Sequence, residues 1–344
     1  MIKYLGSKRR LVPELGRLFA ASGAQTALDL FTGTTRVAQE FCRRGAVTTC
    51  VDTAAYSEVL AQCYVVLDAA DVDRAEIEEA LARLDALPER RGYVTDVFCE
   101  RARYFHPDNG RRIDAIRDGI DELYGDHWLR PVLLTSLLEA ADRVDSTVGM
   151  QMAYLKQWAP RALRPLRLEV PVLTPGTGCA VRGDALEVHA GLEPVDFAYL
   201  DPPYNQHRYF TNYHVWETLV RWDAPDHYGI ACKRTDAREE ATRSPFNSRR
   251  RMPEALATLI AGVRAGVVVV SFSNEGFVPL EALVEMCEQR GSGVRVLAYD
   301  ARRYIGQQLG VFAPDGRRVG LPGPERNVEY LLVSAGEDVL EAIA

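Results

Sequence analysis

The chain has 344 residues, 47% of them hydrophobic and 26% charged, the composition of an ordinary soluble globular protein. That length suits one large α/β domain with an inserted lobe, or two domains, and no apolar run approaches the ~18 residues needed to cross a bilayer. The net charge of −7 argues weakly against a nucleic-acid partner, which usually needs a basic footprint.

The opening Met1 to Lys8 runs straight into motif-like sequence without the apolar region of a signal peptide, so a cytoplasmic protein with no membrane segment is expected. Seven cysteines are scattered without a C-x-x-C pair and six histidines are equally dispersed. Reduced thiols, with no zinc site, disulfide framework or other metal centre, are therefore expected.

In chain order, the apolar run 26–31 predicts a strand that ends in Thr32-Gly33-Thr34-Thr35. A helix over Arg36–Arg44 follows, and a second strand, Ala46–Val51, is closed by Asp52. This strand–turn–helix–strand–acid unit opens a doubly wound nucleotide-binding sheet. Residues 58–165 read as almost wholly helical, with apolar residues at helical spacing over Glu76–Leu87 and Arg130–Val144. Strands are predicted at Leu166–Leu173, Ala180–Arg182, Val195–Leu200, Val267–Phe272, Val294–Tyr299 and Glu329–Val333. Helices are predicted over Pro253–Ala265 and Leu280–Arg290. Residues 205–252 are polar, basic and aromatic without clear periodicity, although Tyr213, Trp216 and Trp222 are best read as core.

Asp201-Pro202-Pro203-Tyr204 directly follows the Val195–Leu200 strand, at the sheet edge where open α/β folds bind ligands. Two prolines stiffen the turn, so the Asp201 carboxylate and the Pro202 carbonyl face one space as two acceptors. An exocyclic amine has two N–H donors to match them, and Tyr204 adds an aromatic face for a base. Gly33 in the first turn allows close approach of the backbone to a ligand, and Asp52 is placed to accept from a ribose. No complete G-x-G-x-x-G is present, which disfavours a nicotinamide dinucleotide. Tyr4-Leu5-Gly6-Ser7-Lys8 and Gly183-Asp184 are unremarkable alone: a solvated helix start and a turn. Between Lys233 and Arg251 seven basic residues face three acidic ones, a local +4 that suits either a DNA backbone or a solvated loop.

Taken in order, Tyr4-x-Gly-x-Lys8, the Phe31/Gly33 loop, Asp52, a helical insertion, Gly183-Asp184 and Asp201-Pro-Pro-Tyr204 resemble the Dam-like class of DNA adenine-N6 methyltransferases. There the cofactor motifs come first, the target-recognition region next and D-P-P-Y last. The resemblance extends to Arg103-Tyr104-Phe105, Ile113–Arg117, Gly149–Trp158, Phe246-Asn247-Ser248, Ser271–Gly276 and Asn327–Leu332. It implies a Rossmann-like, mixed seven-stranded methyltransferase sheet formed by 1–57 and 166–344. Residues 58–165 would be a helical target-recognition insertion.

By position, the resemblance places Tyr4 and Lys8 beside the methionine part of S-adenosylmethionine, and Asp29, Phe31 and Gly33 around its cradle. It places Asp52 on the ribose and Asp184 on the cofactor's adenine. Asp201, which also borders the cofactor, and Pro202 would hold the target amine of a flipped adenine. Pro203 would stiffen the turn and Tyr204 would stack on the base. Lys233, Arg234, Arg249, Arg250 and Arg251 are the candidate contacts to duplex DNA, and a cognate restriction endonuclease is a candidate partner. Thr35 stands where the family often has a second glycine, and a β-branched residue tolerates positive φ poorly, so a differently shaped loop or a more loosely held cofactor is expected. Three other readings stay open at this point: another amine substrate (cytosine N4, RNA adenine or a protein amide), a nicotinamide-dependent oxidoreductase, and an inactive DNA-binding subunit.

Overall fold

A computed structural model of the chain describes residues 2–6, 8–302 and 326–343; Ser7 of the N-terminal motif lies outside them. A seven-stranded sheet consists of β1 (Thr26–Asp29), β2 (Val47–Asp52), β3 (Gly178–Arg182), β4 (Val195–Leu200), β5 (Ala265–Ser273), β6 (Gly293–Arg302) and β7 (Arg326–Ala335). Its strand order is β3-β2-β1-β4-β5-β7-β6. The pairs β2/β3, β1/β4 and β4/β5 are parallel, whereas β7 runs antiparallel to both β5 and β6. The sheet is thus mixed, with a reversed strand between its fifth and sixth members. Helices flank it, and none among the described residues is long and apolar enough to cross a membrane.

The chain gathers into two compact units. The first comprises 1–16, 32–184 and 208–243, so β2 and β3 belong with the helical segment. Helices occupy Ala55–Ala61, Arg74–Asp85, Pro107–Tyr124 and Arg130–Arg143, and two stretches, Gln62–Val66 and Val94–Arg101, are π-helical. Two buried ionised side chains tie this layer together. Asp114 accepts the Gly92, Val94 and Thr95 N–H groups, each at 2.9 Å, and the Thr95 hydroxyl at 2.6 Å. Arg117 donates to the Leu219 and Val220 carbonyls at 2.6 and 3.0 Å, which caps the end of the helix His214–Arg221. Buried charges are tolerable only with partners of this kind.

Residues 166–173 form no strand, contrary to the expectation from their apolar pattern. Their backbone is satisfied by side chains instead: Asn109 accepts the Leu166 N–H, and Ser136 accepts the Glu169 N–H while donating to the Glu169 carbonyl. Pro165 and Pro171 remove donors at both ends. The stretch 205–252, which has no clear period, nevertheless contains the helix His214–Arg221. Tyr213 and Trp216 are buried as read from the sequence, whereas Trp222 is only half-buried, its indole N–H on Asp118.

The second unit comprises 17–31, 185–207 and 244–344. Here β5 carries Val267 to Val270, all buried, the near-continuous apolar run of a strand covered on both faces. The register pairs Asp29 with Tyr199 and Leu200 with Val270. Parallel β1 and β4 therefore release Leu30 and Asp201 at the same edge of the sheet.

Candidate active site

In the first unit, the turn 32–35 opens with the Thr32 N–H on the Val51 carbonyl at 3.1 Å and closes with the Thr35 N–H on the Thr32 carbonyl at 2.7 Å. Gly33 has φ +50°, and a Cβ there would approach the Tyr4 ring to 3.1 Å, so the position favours glycine twice over. Asp52 ends β2 and caps the turn: Oδ2 accepts the Gly33 N–H at 2.9 Å and Oδ1 the Ala54 N–H at 3.0 Å. The Ser57 hydroxyl donates to the Gly33 carbonyl at 2.5 Å. Burial pushes the Asp52 carboxyl above its ordinary range, against the hydrogen bonds that favour its charged form. The Ser57 side chain and the Thr53 backbone also hydrogen-bond the carboxylate, so Asp52 is held as a cluster of acceptors at the end of β2.

Thr35 corrects the expectation drawn from its side chain. It takes φ 62°, ψ 9°, the left-handed conformation a glycine would adopt, and is fully buried. The turn is therefore formed as with glycine, at a backbone cost of about 1–2 kcal/mol.

Tyr4 lies in an aromatic cluster. Its ring stacks on Tyr213 with centroids 4.5 Å apart and on Tyr209 at 5.3 Å, and its hydroxyl is 3.3 Å from that of Tyr56. The Leu5 N–H donates to the Tyr213 hydroxyl, which pins the N-terminal segment. Burial raises the Tyr4 phenol well above its usual value, so it stays protonated. Lys8 is buried, and its carbonyl accepts the Leu11 and Val12 N–H groups. The Gly183 N–H donates to the Asp52 carbonyl at 3.0 Å, so Asp184 follows a residue tied to Asp52.

In the second unit, Asp29 is buried and Phe31 packs edge-on against Phe246, with centroids 5.3 Å apart. Asp201 leaves β4 partly exposed, followed by a buried Pro202 and partly exposed Pro203 and Tyr204. This turn is braced on several sides. The Phe277 N–H donates to the Tyr204 carbonyl at 3.0 Å, and the Tyr204 ring lies 5.6 Å from that of Phe272. The Tyr204 hydroxyl is 3.4 Å from Glu329, and Asn247 donates to the Asn205 and His207 carbonyls at 2.7 and 3.0 Å. A Cβ at Gly276 would lie 2.1 Å from the Phe272 ring, so only glycine allows that ring its place beside Tyr204.

The basic segment divides. Arg234 is 1% exposed, forked onto Asp223 at 2.7 Å through both terminal nitrogens and bonded to Asp236 at 2.7 Å. It cannot meet a phosphate, and its assignment as a DNA contact is corrected to a buried ion-pair centre. Desolvation lowers the pKa of the partly buried Lys233. Arg238 lies over the Tyr228 ring at 3.7 Å, and Arg243 pairs with Glu240 at 3.0 Å. Arg249, Arg250 and Arg251 are exposed, with the Arg249 guanidinium 5.4 Å from the ring of Phe277, the residue that braces Tyr204. Among the described residues, no group of three or more His, Cys, Asp or Glu side chains could hold a metal ion.

Sequence reasoning did not single out Tyr56, Ser57, Asn247 or Glu329 as contacts of the site. Tyr56 and Ser57 lie within five residues of Asp52, a usable signal, but the reach of Asn247 and Glu329 depends on tertiary folding.

The profile of the D12 class N6 adenine-specific DNA methyltransferases matches residues 4–248. The chain is 30% identical over 305 residues to the type II methyltransferase M.NlaIII of Neisseria lactamica, a match covering 84% of this chain and 89% of that one. It is 27% identical to modification methylase LlaI of Lactococcus lactis, over 84% of this chain and 49% of that longer protein. It is also 27% identical to the type II methyltransferase M.CviAII of Paramecium bursaria Chlorella virus 1, over 89% of this chain and 93% of that one.

Proposed function

The chain belongs to the D12 class of N6 adenine-specific DNA methyltransferases, and we propose that the Asp52-capped turn is its cofactor cradle and the braced Asp201–Tyr204 turn its amine-holding site. The enzyme transfers a methyl group from S-adenosylmethionine to the N6 amino group of adenine in DNA. The observation that carries the residue assignment is the bracing of the Tyr204 carbonyl, ring and hydroxyl by three separate elements, more support than a solvated loop needs.

Bound S-adenosylmethionine supplies an electrophilic methyl carbon on a sulfonium. Asp52 would accept the ribose hydroxyls at the end of β2, and Asp184 would accept from the cofactor's adenine. Tyr4 and Lys8 of the first unit are assigned to the methionine portion, and Asp29 and Phe31 of the second unit to cofactor binding. The target adenine leaves the duplex stack to be reached, and Tyr204 replaces its lost stacking. The Asp201 carboxylate and the Pro202 carbonyl would accept the two amine N–H groups and so orient the nitrogen lone pair. The cofactor would supply the methyl group, and Asp201 and Pro202 would hold the amine that receives it, the amine proton being lost to water. The positive charge developing on nitrogen is stabilised by Asp201, so no strong base is required.

Residues 58–165 are read as the target-recognition segment. The setting is the cytoplasm, beside a cognate restriction endonuclease whose sites the methylation protects. Sequencing modified bases in DNA from a host expressing the chain tests the reading. N6-methyladenine confined to one short sequence supports it, and methylation of cytosine N4 or of no base would sink it. Digestion of the same DNA by candidate endonucleases tests the protection.

A further inference from the structure

The turn that carries Gly33 contains a residue poorly suited to its conformation. Thr35 is β-branched and fully buried at φ 62°, and the helix Arg36–Arg43 starts directly from it. Left-handed backbone persists at such a residue only where the surroundings over-determine it. The surroundings here are specific. The Thr35 hydroxyl donates to the Thr34 carbonyl at 2.7 Å and accepts the side-chain amide of Gln39 at 2.8 Å. Gln39 is itself buried, and its amide oxygen accepts from the Arg43 guanidinium at 3.2 Å and from the Thr174 hydroxyl at 3.3 Å. Its backbone N–H bonds the Thr35 carbonyl at 2.8 Å. One glutamine thus holds Thr35 through both backbone and side chain, and is itself fixed by two donors.

We propose that Gln39 is a positioning residue for the cofactor cradle, its side-chain amide holding Thr35 left-handed so that the Gly33 N–H stays on Asp52. This rests on the reading of the Asp52-capped turn as the cofactor site. The Thr35 hydroxyl accepts from the Gln39 amide while donating to the Thr34 carbonyl, so Thr35 and Gln39 act as a pair. In a chain with glycine at 35, the amide would have nothing to hold.

The test is calorimetric binding of S-adenosylhomocysteine, which needs no turnover, to Gln39→Met, Thr35→Val, Thr35→Val/Gln39→Met and Thr35→Gly/Gln39→Met. Thermal unfolding is followed in parallel to identify any variant that fails to fold. Gln39→Met and Thr35→Val should each weaken binding about tenfold, the scale of one buried hydrogen bond. Their combination should cost less than the sum of the two single losses, because the Thr35–Gln39 bond is removed by both. Adding Thr35→Gly to Gln39→Met should restore affinity to within about threefold of the parent chain, which a merely structural role for Gln39 would not produce. Unchanged binding in Gln39→Met, additive losses in the Val/Met double variant, or no rescue by Thr35→Gly would each overturn the proposal. Asp52→Ala separates the two failures. If Asp52→Ala loses affinity and Gln39→Met does not, only the role of Gln39 falls. If Asp52→Ala binds like the parent, the cradle lies elsewhere and both fall.

Discussion

The Gly33 N–H donates to Asp52 Oδ2 at 2.9 Å, joining the turn after β1 to the end of β2 across nineteen residues of chain. The Ala54 N–H takes the other carboxylate oxygen at 3.0 Å. One side chain therefore shapes the turn and, in the proposed function, presents acceptors to a ribose.

Asp52→Ala should lower S-adenosylmethionine affinity by roughly 10- to 150-fold, from the ~1.5–3 kcal/mol of a hydrogen bond to a charged group. DNA affinity should change much less. Burial raises the Asp52 pKa, so the neutral acid forms at a higher pH than for an ordinary carboxyl. Cofactor affinity should therefore fall on acidification while exposed carboxylates are still ionised. Calorimetry across the acid range reads both effects, and equal affinity in wild type and variant would move the cradle elsewhere.

Asp201→Ala should abolish methyl transfer while leaving the thermal unfolding midpoint within about 2–4 °C of wild type. The carboxylate is at a partly exposed turn and not in the core, where larger losses originate. Rate measurement on a methylatable duplex and a thermal melt suffice. Retention of most of the wild-type rate would remove Asp201 from the chemistry.

His214 gives a prediction about acid stability. It is fully buried at the start of its helix, with Nε2 3.0 Å from the Gln151 carbonyl, and burial drops its pKa to about 3. The unfolded chain takes up the proton near pH 6.5 and the folded protein does not. Stability from this residue is thus present above about pH 6.5 and is lost as pH falls towards about 3. The slope is up to ~1.4 kcal/mol per pH unit. Denaturant unfolding of wild type and His214→Gln over that range should show a shallower slope in the variant. Parallel pH profiles would mean that His214 titrates normally.

Sequence patterns reported the sheet well where the physics is local. Val267–Val270 reads as a doubly covered strand because four apolar residues in a row can face water on neither side. Asp201-Pro-Pro-Tyr204 stands out because adjacent prolines and an acid at a strand end have few other uses. The failures were tertiary. Leu166–Leu173 is apolar enough for a strand, but Asn109 and Ser136, more than thirty residues earlier, take its backbone groups. Arg234 counts as a surface cation by sequence, and only the fold shows Asp223 and Asp236 closed around it. Thr35 misled for a related reason, since the cost of its φ was visible but its partner Gln39 was not.

With Arg234 of the first unit buried, the exposed cations left among the proposed DNA contacts are Arg249, Arg250 and Arg251 of the second unit. The Arg249 guanidinium lies over Phe277, whose N–H holds the Tyr204 carbonyl, so Arg249 is one residue removed from the proposed base-stacking Tyr204. A nucleotide stacked on Tyr204 would bring its own phosphates with it, and cations beside Phe277 would meet them. Replacing all three arginines with alanine should then weaken binding to every duplex by a similar factor. It should also flatten the slope of log affinity against log salt by up to ~2.7, since each neutralised phosphate adds about 0.9 to that slope. Preference among sequences should persist, because phosphate contacts position a protein without reading bases. Arg234→Ala is the contrasting variant. It leaves Asp223 and Asp236 to Arg221 and should lower stability, while leaving the salt slope of the folded fraction unchanged. Salt titrations of the three proteins separate the possibilities. Parallel lines for wild type and the triple variant would place the backbone contacts away from 249–251, with the helical segment 58–165 the next region to test.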